Sequence, residues 1–212
     1  MPNTTLYYSR STASLVVHWL LIELGIPHEL HELDFDKCDQ KSDDYLKLNP
    51  AGVVPTLVMD GQVITETAAI LMHLADTHPR AELAPAIASM QRAQYYRWML
   101  FCANTLMPAY RAWFYSDEIA GEANVQATQD HARAKLEKAW EQVADHLGAH
   151  GPYLLGTQRS AADFLLTMLM RWSRNMPMPT DAWPVLQVYA QRMKALPSFR
   201  EVYAREGLTD WT

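Results

Sequence analysis

The chain changes character once, and that change limits its fold more than any other feature. Up to about residue 78, short strand-like and helix-like pieces alternate between turn residues; from about residue 86 only helical patterns follow. Mixed elements followed by a run of helices call for a sheet-and-helix domain joined to a helical one. Thr4 to Tyr8 (TTLYY) is rich in strand formers. ASLVVHWLLIELG follows. It is too long for a strand despite its Val-Val pair, and Gly25 and Pro27 stop it as a helix. His28 to Leu33 alternates weakly, as a second strand would. Ser42 to Leu48 is a short polar helix ended by Asn49, Pro50 and Gly52. VVPTLVM leads into Asp60-Gly61, a strong hairpin signal, and Gln62 to Thr65 is the return strand. A last helix opens at Thr65 or Glu66 and closes before Pro79. This order predicts a four-stranded mixed sheet with helices on both faces, its first half a right-handed crossover.

The remainder is helical. Ile87 to about Phe114 is periodic, with Tyr95, Trp98, Met99, Cys102, Leu106 and Tyr110 at helical spacings, and Pro108 predicts a kink in it. Asn124 to Leu147, Ala161 to Arg174, Pro184 to Leu196 and Pro197 to Glu206 follow as further helices. Leu74 to Ala88, with Pro79 and Pro85, reads as the linker. The expected domains are residues 1–80 and 86–212.

Charge narrows the function classes. There are 24 acidic and 18 basic residues, a formal net charge of -6, which is the wrong sign for a nucleic-acid or anionic-membrane binder. Two cysteines make neither a disulfide scaffold nor a Cys-based zinc site. Cys38 lies among acids in FDKCDQK, a poor setting for a thiolate, and Cys102 lies in an apolar helical stripe. The start of the chain lacks a basic stretch followed by a long apolar run. No uncharged stretch is long enough to span a bilayer. A soluble, cytoplasmic protein in a reducing compartment is the expectation. Nucleotide-binding glycine motifs, a nucleophile elbow and HExxH are all absent from the sequence, and the histidines do not fall at zinc-ligand spacings, so no metal is expected.

Three constellations carry possible chemistry. Pro55 opens an apolar strand, where a missing amide is tolerated. It is either an ordinary turn proline or, with a cis bond, a device that turns the amide and carbonyl of Val54 outward to pair with an extended peptide. Glu66-Thr67 begins a helix directly after a hairpin strand. Free amides there attract an anion, the Thr67 hydroxyl can bind a carboxylate and Glu66 can pair with an ammonium; the plainer reading is a helix cap. Ser9 to Ser14 (SRSTAS) puts four hydroxyls in six residues before the first helix. They can cap that helix or donate to a bound thiolate, whose charged form the helix N-terminus also favours. Ser160-Ala-Ala-Asp163 has capping-box spacing and reads as structural.

With these pieces in order, the chain resembles a cytosolic glutathione transferase of bacterial type. The resemblance extends over nearly the whole length and is strongest over residues 4–78. LYYSRSTASL is similar to the family's first strand and catalytic loop, NPAGVVPTLVMDGQVITETAAILMHLAD to its most recognisable stretch, and GTQRSAADF to the capping box of its buried helix. The resemblance implies an α/β thioredoxin-like N-terminal domain and an all-α C-terminal domain. It implies a cis Pro55, a Val54 backbone that pairs with the cysteinyl part of glutathione, and Glu66 and Thr67 at the γ-glutamyl end. Thr67 stands where the family usually has Ser. Ala13 stands where the bacterial cysteine-type class has its cysteine, so a mixed-disulfide mechanism is not expected. The residues expected to activate the sulfur are Ser11, then Thr12, then Ser14.

The expected activity is transfer of the glutathione thiolate, with glutathione as co-substrate, to small hydrophobic electrophiles, a detoxification chemistry. Tyr110, Trp113, Phe114, Trp172 and Met176 are expected to line the electrophile site, on their aromatic and methionine content. Arg111 either meets a ligand carboxylate or is solvated. The family also implies a homodimer. A glutathione-dependent cis-trans isomerase remains an alternative, because Ser11 to Ser14 keeps part of that branch's hydroxyl and thiol pattern. A reductase of the same scaffold is disfavoured by the lack of CxxC. A non-enzymatic binding protein that kept the fold is the remaining alternative.

Overall fold

The computed structural model describes residues 3–212. Residues 1 and 2, where the first expected domain begins, lie outside the described residues. The first elements are β1 (Thr4–Tyr8), α1 (Ser14–Glu23), β2 (Glu29–Glu32), α2 (Asp43–Leu48), β3 (Thr56–Met59), β4 (Gln62–Thr65) and α3 (Thr67–Thr77). The strands form one sheet in the order β2-β1-β3-β4. β2 runs parallel to β1, while β3 is antiparallel to both β1 and β4. This is the mixed sheet that the element order predicts and the thioredoxin-like arrangement that the resemblance implies. Along β1, Thr4, Leu6 and Tyr8 turn inward, and Leu6 faces Leu57 of β3 in the closed core. Every residue of α1 from Ser14 to Leu21 is buried. Burial on all sides, against β1 and α3, outweighs the poor helix propensity of its Val-Val pair.

The second part is wholly helical: α4 (Met90–Phe101), α5 (Met107–Phe114), α6 (Ser116–Ala120), α7 (Val125–His150), α8 (Ala161–Trp172) and α9 (Pro184–Lys194). The kink expected from Pro108 takes the form of a widened π turn, Cys102–Leu106, between α4 and α5. Proline has no amide to continue the regular ladder, and the wider turn accommodates the gap. Cys102 is fully buried there, and burial pushes its thiol well above the usual range, which leaves it inert.

α10 (Pro197–Glu206) departs from the expected domain boundary. The chain divides into two compact units, Met1–Ala84 with Lys194–Thr212, and Pro85–Met193. The division expected after residue 80 comes at 84, and the expected second domain of 86–212 loses its end to the first unit. The reason is packing on α1. The Trp19 indole donates to Ser198 (2.9 Å) and meets the Phe199 ring edge-on at 5.1 Å. Among the described residues no helix is long and apolar enough to cross a membrane.

α8 begins with the capping box that its sequence announces. Asp163 is fully buried and accepts from the Ser160 amide (2.8 Å), the Ser160 hydroxyl (2.9 Å), the Leu154 amide (2.9 Å) and the Tyr189 hydroxyl (2.8 Å). Burial raises its pKa even though these bonds favour the carboxylate. Removing the carboxylate strands several buried donors, each worth about 1–3 kcal/mol. Asp163→Ala is therefore expected to lower unfolding free energy by roughly 3 kcal/mol or more, read from the midpoint of urea denaturation, with Asp163→Asn losing less.

Candidate functional site

The sheet register places the first unit's three constellations at one end of the sheet. Tyr7 of β1 pairs with Thr56 of β3, and Thr56 pairs with Thr65 of β4. Strand polarity does the rest. β1 leaves this row into the Ser9–Ser14 loop. β3 enters it from Val54-Pro55. β4 leaves it into Glu66-Thr67. Neighbouring strands lie about 4.8 Å apart, so segments widely separated in sequence sit side by side.

Val54–Pro55 is cis, as the resemblance implies. Among the described residues the Val54 amide and carbonyl take no hydrogen-bond partner. Val54 is half-buried, while Pro55 and Thr56 are buried. The segment therefore presents one residue of unpaired backbone at the start of a strand, which suits an added extended chain.

The plainer reading of Glu66 as a helix cap is not realised. Its side chain makes no capping bond, and its backbone sits at φ 69°, in the left-handed region that non-glycine residues seldom occupy. The first backbone bond of the helix is Ile70 to Glu66 (2.9 Å). The amides of Thr67, Ala68 and Ala69 thus lie ahead of the ladder, beside an exposed Glu66 carboxylate and a buried Thr67. That set suits a zwitterion: amides for an anionic end and a carboxylate for an ammonium.

In the loop the hydroxyls differ in use. Thr12 donates to the Ser9 carbonyl (2.7 Å). The Ser14 hydroxyl lies 2.8 Å from Thr12 Oγ1 and 3.0 Å from the same carbonyl. Ser14 is also fully buried and accepts from the Ser9 amide (3.3 Å). Both protons are therefore committed inside the loop. Ser11 is half-buried and sits at φ 63°.

The sequence reading missed what holds Ser11. Its amide donates to Glu206 Oε2 (3.4 Å), and the other oxygen of Glu206 is 2.9 Å from Nδ1 of His18. Both partners of that pair have side-chain exposures of 0%. Glu206 ends α10 and His18 lies 188 positions earlier, so no local motif announces the pair. The one available signal is His18, a histidine inside the apolar run LVVHWLLI of α1. Nearby, the exposed Arg10 pairs with Glu32 (2.8 Å), which also accepts from Tyr8 (3.3 Å). Burial and the Glu32 charge raise the Tyr8 pKa, so its hydroxyl stays protonated.

In the helical unit, three of the five residues expected to meet an electrophile form one ring cluster. Tyr110 and Phe114 stack with centroids 5.9 Å apart, and Trp172 stands edge-on to them at 5.6 and 6.2 Å. Tyr110 is buried and accepts from the Trp140 indole (3.2 Å), whereas Phe114 is 48% exposed. Met176 is buried; Trp113 is half-buried and stands outside the cluster among the described residues. Arg111 is not simply solvated: it pairs with Glu118 and lies over the Tyr115 ring at 3.8 Å. Among the described residues no group of three or more His, Cys, Asp or Glu side chains could hold a metal ion.

Comparison with known proteins gives a consistent result. The family model "Glutathione S-transferase, N-terminal domain" matches residues 10–77. Glutathione S-transferase GST-4.5 of Xanthomonas campestris is 34% identical over 204 residues, covering 96% of this chain and 98% of that protein. A glutathione transferase homologue from Sulfitobacter, solved with bound glutathione, superposes with a TM-score of 0.87 at 28% identity, covering 99% of this chain and all of that one. Maleylacetoacetate isomerase of Dictyostelium discoideum is 28% identical over 204 residues, covering 94% of this chain and 93% of that protein.

The buried pair makes a direct prediction. Glu206→Ala leaves the His18 ring and the Ser11 amide without their acceptor. Stranding a buried hydrogen-bond donor in this way typically costs about 1–3 kcal/mol. The variant is expected to lose roughly that much stability in urea denaturation; a loss below about 1 kcal/mol would mean that the pair carries little of the packing between α1 and α10.

Proposed function

The chain belongs to the glutathione S-transferase family, and on that premise we propose that it binds glutathione along the Tyr7–Thr56–Thr65 row and transfers the thiolate to small apolar electrophiles. The supporting observation is the register that brings an unpaired Val54 backbone, an uncapped Glu66-Thr67 helix start and a hydroxyl-rich loop to one end of the sheet. In this reading the amide and carbonyl of Val54, held before Pro55, pair with the cysteinyl residue as a short strand would. Glu66 takes the γ-glutamyl ammonium. The Thr67 hydroxyl and the amides at the start of α3 take the carboxylate beside it.

The chemistry follows from the charge of the sulfur. A free thiol has a pKa of about 8.5, so most of it is protonated at neutral pH. A hydroxyl donor and the positive end of α1 favour the thiolate, and the displaced proton goes to solvent. The thiolate then attacks the electrophile. A sulfur–carbon bond forms, and the leaving group departs with its electron pair, or the electrons move into the acceptor π system on addition.

Ser11 stays the proposed donor, first in the order that the resemblance gives; the protons of Thr12 and Ser14 go to the Ser9 carbonyl and to each other. Thr12 and Ser14 then shape the loop. The proposed electrophile contacts are the Tyr110, Phe114 and Trp172 rings; Trp113 and Met176 stay proposed on their residue type alone. A cytoplasmic homodimer completes the reading. A glutathione-dependent isomerase is the second reading, supported by the full-length similarity to the Dictyostelium isomerase. There the sulfur would add to a double bond and leave again.

An assay of glutathione with a chloronitroaromatic, beside one that follows cis-trans isomerisation of an unsaturated diacid, separates the two. Thioether formation is expected in the first; isomerisation without conjugation would favour the second reading. Ser11→Ala is expected to lower kcat by about tenfold to a hundredfold, as the loss of a charge-stabilising donor does elsewhere. It should also move the rising limb of the pH–rate profile to higher pH. A Ser11→Ala enzyme with wild-type kcat and pH profile would remove Ser11 from the mechanism.

A further inference from the structure

Behind Val54 lies a closed set of hydrogen bonds that none of the expected site residues accounts for. Tyr45 and Asn49, from α2 and its end, converge on two atoms: the carbonyl oxygen of Val53 and the hydroxyl of Thr56. The Tyr45 hydroxyl is 2.6 Å from the Val53 oxygen and 2.8 Å from Thr56 Oγ1. Asn49 Nδ2 donates to the same carbonyl (2.8 Å) and the same hydroxyl (3.0 Å). Its Oδ1 accepts from the Ala51 amide (3.1 Å). Tyr45, Asn49 and Thr56 are all buried.

Counting protons leaves one consistent assignment. The Val53 carbonyl has no proton, so Tyr45 must donate to it. Thr56 must then donate to Tyr45. The two Asn49 amide protons go to Val53 and Thr56. Every donor is used, and both lone pairs of the Val53 oxygen are filled. Burial raises the Tyr45 pKa, so the phenol keeps the proton that this scheme requires. Such closed sets strengthen one another in a dry setting.

The Val53–Val54 peptide is planar and trans, so its carbonyl and amide point in opposite directions. Fixing the Val53 carbonyl toward α2 therefore fixes the Val54 amide away from it. We propose that Tyr45 and Asn49 are positioning residues for glutathione, setting the direction of the Val54 amide through the Val53–Val54 peptide plane. The inference rests on the reading above in which Val54 pairs with the cysteinyl residue. Both side chains are buried and bond to the chain itself, so the role is to pre-orient a donor before the ligand arrives.

The test is steady-state kinetics on the full chain, with glutathione and the electrophile varied separately. Tyr45→Phe removes one hydroxyl and keeps the ring; Asn49→Ser removes both amide donors. Each is expected to raise the KM for glutathione by about threefold to tenfold. The kcat at saturating glutathione and the KM for the electrophile should stay within about twofold of wild type, a split that a general loss of structure would not give. The proposal is overturned if both variants, folded by circular dichroism, keep the wild-type KM for glutathione, or if kcat falls while that KM stays fixed. Should Tyr45→Phe fail to fold, Asn49→Ser alone decides. A wild-type enzyme that binds no glutathione in calorimetry overturns the binding reading and this inference together. A wild-type enzyme that binds while the variants bind equally well overturns only the inference.

Discussion

One row of paired strand residues, Tyr7, Thr56 and Thr65, brings the Ser9–Ser14 loop, Val54-Pro55 and Glu66-Thr67 to one end of the sheet. Each strand contributes one end to the same edge of the sheet, and each end carries a different donor set. Side chains alternate faces with a period of two. A slip of one residue in β3 would send Leu57 out of the core and carry Val54 away from Glu66. The hydrophobic cost of exposing Leu57, about 2 kcal/mol, thus protects the geometry of a polar site made almost entirely of backbone.

Backbone sites of this kind need support from behind, because an unpaired amide is useful only if it points one way. Two different devices provide it. At the loop, the buried Glu206 carboxylate reaches from α10 to the Ser11 amide and the His18 ring. At the hairpin, Tyr45 and Asn49 hold the peptide plane that precedes Val54. Both devices are buried polar groups, costly when broken and specific when satisfied. The first of them ties Lys194–Thr212, from the far end of the chain, to the first unit. α10 supplies a carboxylate that the Ser9–Ser14 loop itself lacks.

The sequence is legible where signals are local. Asp60-Gly61 sets the β3–β4 hairpin, Gly25 and Pro27 end α1, and Ser160 with Asp163 marks the start of α8, all within a few residues. Pro55 and Glu66 are locatable by pattern, and resemblance assigns them roles. What sequence could not supply is long-range or conformational. The Ser11–Glu206 bond joins residues 195 apart, so α10 looked like one more helix of the second half. The left-handed backbones of Ser11 and Glu66 are imposed by their surroundings, since neither residue type favours φ above zero. Tyr45 and Asn49 read as an ordinary short helix and its end. Their role depends on which carbonyl they meet, and a linear pattern does not encode that. Pro108 announced an interruption, but its form as a π turn depends on how α4 and α5 pack.

The most direct measurement is an amide-resolved NMR titration of the full chain with glutathione. The account predicts that the amides of Val54, Thr67 and Ser11 shift together along one binding curve, marking the three strand ends of a single site. Shifts confined to another surface, or separate curves for these three amides, would contradict it.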